Sequence, residues 1–408
     1  MFNRLFLFYF SLLSQLLFFV NCLNFPGARA GQTSALVGTK LYFFGGDSNG
    51  EVWYLDLSNS SLFNTSTPMW YKDVSMPLKN FYSTSCVSPT NNSAVFIIGG
   101  RQLLPNSSAV AFNSFNSSVF RFDPNNNSLW SIPNITNFNS TFKTRNLIQA
   151  VIDKTRRIFI FGGSNFEANS SDNSSIIYYN DMNLLDITTM SWSTLNILQA
   201  PPPCYAYTST LLPTGLIVIL IRTFNTTSFV WSNRTVNGSS IETRIGHSAV
   251  LSQNSDIIVY GGSKESQLGP QTLPNLCVLN TNSWIWFIPD IPPVNTPQSL
   301  TFHSAALYKD YMVVAFGHIA STQGLFNKDV YVLDTQKYTW VGIDNTETTT
   351  QDSSTSQKNK LQSPSNPSSI NGLYIGMIVV GGIGIVLVGV TSFFGYLLYK
   401  KAQHKSCN

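Results

Sequence analysis

The sequence carries little charge. Asp, Glu, Lys and Arg make up 11% of its 408 residues, whereas a soluble domain carries about 25%. The formal net charge is +4, but the 18 basic and 18 acidic residues between positions 23 and 344 cancel each other. The excess comes from Arg4 and from Lys400, Lys401 and Lys405 at the two ends. The central region therefore lacks the basic patch of a nucleic-acid-binding protein, and we expect no nucleic-acid partner.

Histidine, cysteine and short catalytic motifs are also scarce. The chain has four histidines and five cysteines. It contains no HExxH motif, Walker loop, GxSxG elbow, CxxC pair or EF-hand loop, which excludes the enzyme classes that depend on them. Cys86, Cys204 and Cys277 are predicted to face an oxidising compartment, so at most one intrachain disulfide can form among them. The spacing of these three cysteines does not indicate which two would form it.

Apolar segments at both ends predict a membrane topology. Residues 1–22 resemble a cleaved secretory signal peptide, with a retained signal anchor as the alternative. Residues 372–399 predict a transmembrane helix, because the 27 residues from Leu373 to Tyr399 carry no charge. The lysines of residues 400–408 place this tail in the cytosol by the positive-inside rule. We therefore predict a single-pass type I protein of the plasma membrane or an internal secretory membrane.

Glycosylation acceptors agree with this topology. Thirteen Asn-x-Ser/Thr triplets lie before residue 240, which indicates exposure to the secretory lumen. Residues 345–371 are rich in Ser and Thr without an apolar period, and they predict an extended stalk before the membrane. The predicted acceptors are Asn59, Asn64, Asn91, Asn106, Asn116, Asn126, Asn134, Asn139, Asn169, Asn173, Asn225, Asn233 and Asn237.

An internal repeat of about fifty residues organises the region between the ends. Four apolar runs close on a diglycine, and a tryptophan follows most copies six or seven residues after an Asp or Asn. Two degraded copies, Val313–His318 and Leu216–Arg222, bring the number of repeats to six. The four complete runs are Leu41–Gly46, Val95–Gly100, Ile158–Gly163 and Ile257–Gly262.

The diglycine, the spaced tryptophan and the repeat length resemble kelch motifs over roughly residues 25–344. The resemblance implies an all-β kelch β-propeller of six four-stranded blades in residues 23–344, with the first strand of each blade lining a central channel. The fourth copy, near residues 201–240, lacks both glycines and a clear tryptophan. Five blades with a long insertion are therefore the alternative.

Two sets of residues coincide when the repeats are aligned. Arg29, Arg145 and Arg244 precede the first strands of three blades, where they are predicted to lie at the channel mouth and bind a ligand's carboxylates. The alternative is an ion pair between blades, with an acid such as Asp153 or Asp256.

The second set is Tyr207, His247 and His303, which share one position of three consecutive first strands. These residue types bind copper, and galactose oxidase is a copper enzyme built on a kelch propeller. The Tyr-His pair and C-terminal β domain of that family are missing here, so packing between blades is the favoured role and no cofactor is predicted.

These observations predict a noncatalytic recognition module that binds a protein or a carbohydrate at one face of the propeller. A copper radical oxidase of the galactose-oxidase type is the alternative function. Small residues in the predicted membrane helix, including Gly372 and Gly376, allow a homodimer.

Overall fold

The computed structural model describes ten stretches of the chain: residues 25–46, 50–58, 68–90, 93–103, 117–165, 176–195, 197–219, 221–264, 269–320 and 324–341. All of them belong to the first of two units, Met1–Asn345 and Thr346–Asn408. The predicted signal peptide, stalk, transmembrane helix and cytosolic tail lie outside the described residues. Within the described stretches, no helix has the length and apolar character needed to cross a membrane.

Six antiparallel four-stranded sheets, here called blades 1 to 6, are formed one after another along the chain. The strands of blade 1 are Thr33–Val37, Lys40–Phe44, Val52–Asp56 and Trp70–Asp73, and those of blade 2 are Thr84–Val87, Val95–Ile98, Val119–Asp123 and Leu129–Ser131. Blade 3 consists of Ala150–Ile152, Arg157–Phe161, Met182–Asp186 and Ser191–Leu195, and blade 4 of Ser209–Leu211, Leu216–Ile219, Arg222–Asn225 and Trp231–Asn233. Blade 5 consists of Ser248–Leu251, Asp256–Tyr260, Leu276–Asn280 and Ile285–Phe287, and blade 6 of Ser304–Tyr308, Tyr311–Ala315, Val330–Asp334 and Thr339–Val341.

A few short elements lie in the connections between these strands. Asn237–Gly238 pairs in parallel with the outer strand of blade 5. Lys79–Phe81 pairs with Arg101–Leu103, and Leu300–Thr301 pairs with His318–Ile319. A 3-10 helix covers Ser140–Thr144.

The second strand of each blade is apolar because it is buried on both faces. Alternate side chains point to opposite neighbours: Tyr42 and Phe44 pack toward blade 2, whereas Leu41 and Phe43 pack toward blade 6. This arrangement explains why these strands are continuous apolar runs rather than alternating ones.

The predicted architecture of six blades is confirmed. The first strand of every blade contacts the first strand of the next, and that of blade 6 contacts that of blade 1, so the ring is closed. Because every blade is one continuous stretch of chain, noncovalent contacts alone join blade 6 to blade 1. Phe43 packs edge-on against Phe316 there, and Gln32 Nε2 donates to Ser304 Oγ at 2.9 Å.

The fourth repeat is a complete blade, and the prediction that it lacks a clear tryptophan is wrong. Trp231 lies in its outer strand, is 4% exposed and packs between blades 3 and 4. The tryptophans Trp70, Trp130, Trp192, Trp286 and Trp340 occupy the corresponding junctions between the other blades.

Cys86, Cys204 and Cys277 are free. Cys86 lies in blade 2, Cys204 in the connection from blade 3 to blade 4, and Cys277 in blade 5. The structure therefore contains no disulfide among these three residues.

Candidate functional site

The channel mouth is bounded by one residue from each blade, at the point where the chain enters the first strand. These six residues, here called the axial ring, have φ between 51° and 69°. Each donates its backbone N–H to the carbonyl of its counterpart in the preceding blade, over 2.7 to 3.0 Å, and the bond from Gly31 to Phe302 closes the circle. The axial ring consists of Gly31, Tyr82, Leu147, Ala206, Gly246 and Phe302.

Side-chain hydrogen bonds just inside the axial ring join all six pairs of neighbouring blades. Thr33 Oγ1 donates to Ser85 Oγ, and the N–H of Ala150 donates to Thr84 Oγ1, both over 2.9 Å. The Gln32–Ser304 bond joins blades 6 and 1. Tyr207, His247 and His303 make the hydrogen bonds at the other three junctions. The cavity at the mouth has a volume of only about 60 Å³, so it holds little more than water.

The predicted metal candidates bond separately to neighbouring blades. The Tyr207 hydroxyl donates to the carbonyl of Phe161. His247 Nε2 lies 3.1 Å from Thr208 Oγ1, and His303 Nε2 lies 2.7 Å from Ser248 Oγ. The Tyr207 hydroxyl and the two Nε2 atoms are thus engaged at three different junctions and do not form one set of copper ligands. Among the described residues, no group of three or more His, Cys, Asp and Glu could hold a metal.

Burial sets the protonation of these groups. It raises the pKa of Tyr207 well above its usual value, so the phenol stays protonated. Burial also lowers the pKa of His247 and of His303 to about 3, and for His247 the Arg244 and His303 charges act in the same direction. Both imidazoles are therefore neutral at pH 7. The absence of a bound cofactor remains a prediction, which copper analysis of the purified protein checks.

Acidification is expected to weaken the fold through His303. Its side chain is 7% exposed. In the unfolded chain His303 takes up a proton below about pH 6.5, whereas in the folded protein its pKa is about 3. The free energy of unfolding therefore falls as the pH falls from about 6.5 to about 3. Between pH 7 and pH 5 this group is expected to cost about 2 kcal/mol. Urea unfolding of the wild type and of His303→Gln at both values measures it. An unchanged pH dependence in the variant contradicts the assignment.

The three predicted ligand-binding arginines are engaged within their own blades. Each donates Nη1 to the carbonyl of the first glycine of the diglycine, which is Gly45, Gly162 or Gly261. Arg29 and Arg244 also donate Nε to the carbonyl two residues earlier. For Arg145 only the Nη1 bond of this pair is made. Arg29 and Arg145 are 0% and 1% exposed.

The predicted alternative, an ion pair between blades with an acid such as Asp153 or Asp256, is wrong. Two of the arginines form ion pairs, but within their own blades and with other acids. Arg29 Nη2 pairs with Glu51 at 3.3 Å, and Arg145 Nη1 pairs with Asp181 at 2.5 Å. Burial would raise the pKa of Glu51, but hydrogen bonds from Lys72 and Trp53 and the charges of Lys72 and Arg29 hold it below its usual value. Asp153 pairs instead with Arg157, and Asp256 accepts from Asn280. Direct contact of the three arginines with a ligand stays a prediction.

Sequence reasoning missed the surface around the mouth. Strands alternate in direction, so the connections from second to third strands and from fourth strands to the next blade lie on the side of the axial ring, here called the mouth face. The other connections lie on the far face. Most of the exposed large apolar side chains in the described residues lie on mouth-face connections. They include Ile177, Tyr178, Leu198, Leu273, Leu325 and Phe326, which are 38% to 87% exposed.

Comparison with known proteins agrees with this architecture. The family model of the KLHDC2/KLHL20/DRC7 Kelch-repeats domain matches residues 2–220 and 215–359. The chain is 25% identical over 333 residues to acyl-CoA-binding domain-containing protein 5 of Arabidopsis thaliana, which covers 76% of this chain and 46% of that protein. It is 29% identical over 149 residues to the Rho GTPase-activating protein gacHH of Dictyostelium discoideum, covering 33% of this chain and 9% of that one.

The chain thus spans less than half the length of these curated relatives. The solved structure of YjhT superposes with a TM-score of 0.56 at 13% identity, covering 78% of this chain and 97% of that one, and this likeness concerns the fold. Because the family model accounts for both halves of the six-bladed ring, the chain belongs to the KLHDC2/KLHL20/DRC7 kelch-repeat family.

Proposed function

We propose that this protein is a noncatalytic, membrane-anchored recognition protein whose mouth face binds a protein partner outside the cytosol. Kelch propellers generally bind proteins. The observation that carries the proposal is the concentration of exposed apolar side chains on the mouth face, with Leu198 at 87% and Leu325 at 59% exposure. Such side chains around one face are typical of an interaction surface.

The size of the mouth favours a surface contact over a small-molecule substrate. Sites for small ligands have volumes of about 300 to 1,000 Å³, whereas the mouth cavity has about 60 Å³. A protein partner can instead cover the connections around the axial ring. A carbohydrate is the alternative ligand, but the aliphatic exposed side chains favour a protein.

Exposed apolar residues of the mouth face are expected to be needed for partner capture. A double variant of the full chain, Leu198→Asp with Leu325→Asp, should retain at least tenfold less partner than the wild type. The reason is that each apolar anchor of an interface contributes about 1 to 2 kcal/mol or more to the free energy of binding. Affinity capture from the source tissue with quantitative mass spectrometry measures this loss. Val230→Asp is the matched control, since Val230 is 51% exposed on the far face. Equal capture by both variants contradicts the proposal.

The membrane anchor and secretory location are part of the same proposal, and the apolar segments and glycosylation triplets support them. Of the acceptors in the described residues, Asn126, Asn134, Asn233 and Asn237 are exposed. Asn139 and Asn225 are half-buried, and their side chains accept hydrogen bonds from Thr141 and from Thr227 and Ser228.

Glycosidase digestion tests the location. We expect digestion of the full chain from its native source to lower the apparent mass, and Asn134→Gln to remove one glycan, because this exposed acceptor can be reached by the transferase. Gel mobility before and after digestion is the measurement. An apparent mass that digestion leaves unchanged contradicts the secretory location.

A further inference from the structure

A second cavity, of about 650 Å³, lies between blades 4 and 5. Its volume falls within the range of about 300 to 1,000 Å³ that is typical of small-ligand sites. Side chains from both blades line it, among them Val218 of blade 4 and Ile257, Val259, Cys277 and Leu279 of blade 5. The cavity is distinct from the small cavity at the mouth, although His247 borders both.

The degraded fourth repeat explains why the cavity is there. In the other five blades, the glycine after the second strand donates its N–H to a carbonyl just before the next axial-ring residue, as Gly46 does to Asn80 and Gly262 does to Leu300. Blade 4 has Ile221 and Arg222 at this position, and its third strand begins at Arg222. The hairpin between the second and third strands of blade 4 is therefore too short to cover the junction with blade 5. The connection to blade 5 runs outward instead, where Asn237–Gly238 joins the outer strand of blade 5.

The packing at this junction is also different. Phe, Tyr or Trp side chains are buried in the cores of the other five junctions, for example Phe120 between blades 1 and 2 and Tyr260 between blades 5 and 6. At the junction of blades 4 and 5 the buried core contains only aliphatic side chains and Cys277, with tryptophans at its partly buried edge. The smaller side chains leave the space unfilled.

Arg244 provides a charge at the wall of this cavity. Its guanidinium donates to the carbonyls of Glu242, Gly261 and Pro274 at 3.0 to 3.3 Å. The Nη2 atoms of Arg29 and Arg145 donate to the carboxylates of Glu51 and Asp181. The Nη2 atom of Arg244 donates instead to the carbonyl of Pro274. The nearby carboxylate of Glu242 is bonded to Lys264 and to the N–H of Leu273. Within the described residues, Arg244 therefore forms no ion pair with a carboxylate.

We propose that the cavity between blades 4 and 5 binds an apolar monocarboxylic acid of the fatty-acid type. Its carboxylate would pair with Arg244 and thereby supply the anion that Glu51 and Asp181 supply in blades 1 and 3. Its hydrocarbon chain would occupy the aliphatic space between Val218 and Val259. This proposal does not rest on the proposed protein contact at the mouth face, and its tests use other residues than Leu198 and Leu325.

Binding is tested with the full chain, delipidated and titrated with cis-parinaric acid, whose fluorescence rises in an apolar site. We expect saturable binding that dodecanoic acid displaces and dodecan-1-ol displaces at least tenfold less well, the difference expected of a charge-assisted hydrogen bond worth about 1.5 to 3 kcal/mol. Arg244→Gln should abolish this preference for the acid over the alcohol. Equal displacement by acid and alcohol in the wild type overturns the role of Arg244. Displacement by a peptide with an apolar C-terminus, but not by dodecanoic acid, overturns the fatty-acid assignment.

A pair of filling variants keeps the test independent of Arg244. Val259→Trp should abolish parinarate binding while leaving the urea midpoint of unfolding unchanged, because the indole enters free space. Ile160 of blade 3 corresponds to Val259 in position and faces the tightly packed junction with blade 2. Ile160→Trp is therefore expected to lower the urea midpoint. Equal destabilisation by both variants, or undiminished parinarate binding by Val259→Trp, overturns the proposal.

Discussion

Replacing Gly45 with alanine is expected to destabilise the propeller by about 3 to 5 kcal/mol, among the largest effects of a single substitution. Gly45 has φ +67°, and an added Cβ would lie 2.0 Å from the carbonyl oxygen of Asn80. That carbonyl accepts the N–H of Gly46 and so joins blade 1 to the start of blade 2. The methyl group cannot be accommodated unless the two blades separate. Urea unfolding of the full chain measures the loss.

Gly38 provides the matched control. It has φ +61°, but a Cβ there would meet nothing within 4 Å. Gly38→Ala is therefore expected to cost only the backbone strain, about 1 to 2 kcal/mol. If the two variants lose the same stability, the close approach of the diglycine to the next blade does not hold the ring together.

Replacing Asp181 with alanine is expected to cost about 3 to 5 kcal/mol, because it leaves a buried guanidinium without its counter-ion. Arg145 is 1% exposed, and its Nη1 and Nη2 atoms bond to the Asp181 carboxylate at 2.5 and 3.2 Å. The same arginine also donates to the carbonyl of Gly162, so its displacement loosens the diglycine of blade 3. The free energy of unfolding from urea titration is the measurement.

Lys337→Ala is the control for this experiment. Its side chain is 76% exposed and lies 4.0 Å from Asp334, and exposed pairs of this kind contribute about 0.5 kcal/mol or less. A loss for Asp181→Ala as small as that for Lys337→Ala would contradict the structural role assigned to Arg145.

The blades could be predicted from the sequence because their signals are local. A diglycine ends the buried second strand, and a tryptophan follows the third strand at a fixed distance. Trp231 follows Asn225 by six residues, as Trp192 follows Asp186, so the same spacing could have identified the tryptophan of the fourth blade. Because that repeat lacks the two glycines, Trp231 could not be aligned with the other tryptophans from the diglycine alone.

The axial ring could not be predicted in full. Its glycines, Gly31 and Gly246, are the residues expected at positive φ. Tyr82, Leu147 and Phe302 adopt the same conformation although bulky side chains disfavour it. Closure of the ring determines their backbone, because each must donate to one neighbour and accept from the other. Tertiary constraint therefore overrides the local preference at these positions.

The roles of the three aligned arginines were predicted only in part. The sequence gives their shared position before the first strand, but the acids that pair with Arg29 and Arg145 come from connections of variable length. Glu51 is 22 residues and Asp181 is 36 residues further along the chain. Such pairs depend on the packed blade, and no spacing rule identifies them. For the same reason, the cavity beside Arg244 could not be foreseen from the loss of two glycines.

Site-specific photo-crosslinking tests most directly the claim that the mouth face binds a protein. Benzoylphenylalanine is placed in the full chain at Leu198 or Leu325 on the mouth face, or at Val230 on the far face, and the cells that express it are irradiated. We expect discrete protein adducts from Leu198 and Leu325 and none from Val230. Adducts from Val230 alone, or no adduct from either mouth-face position, would contradict it.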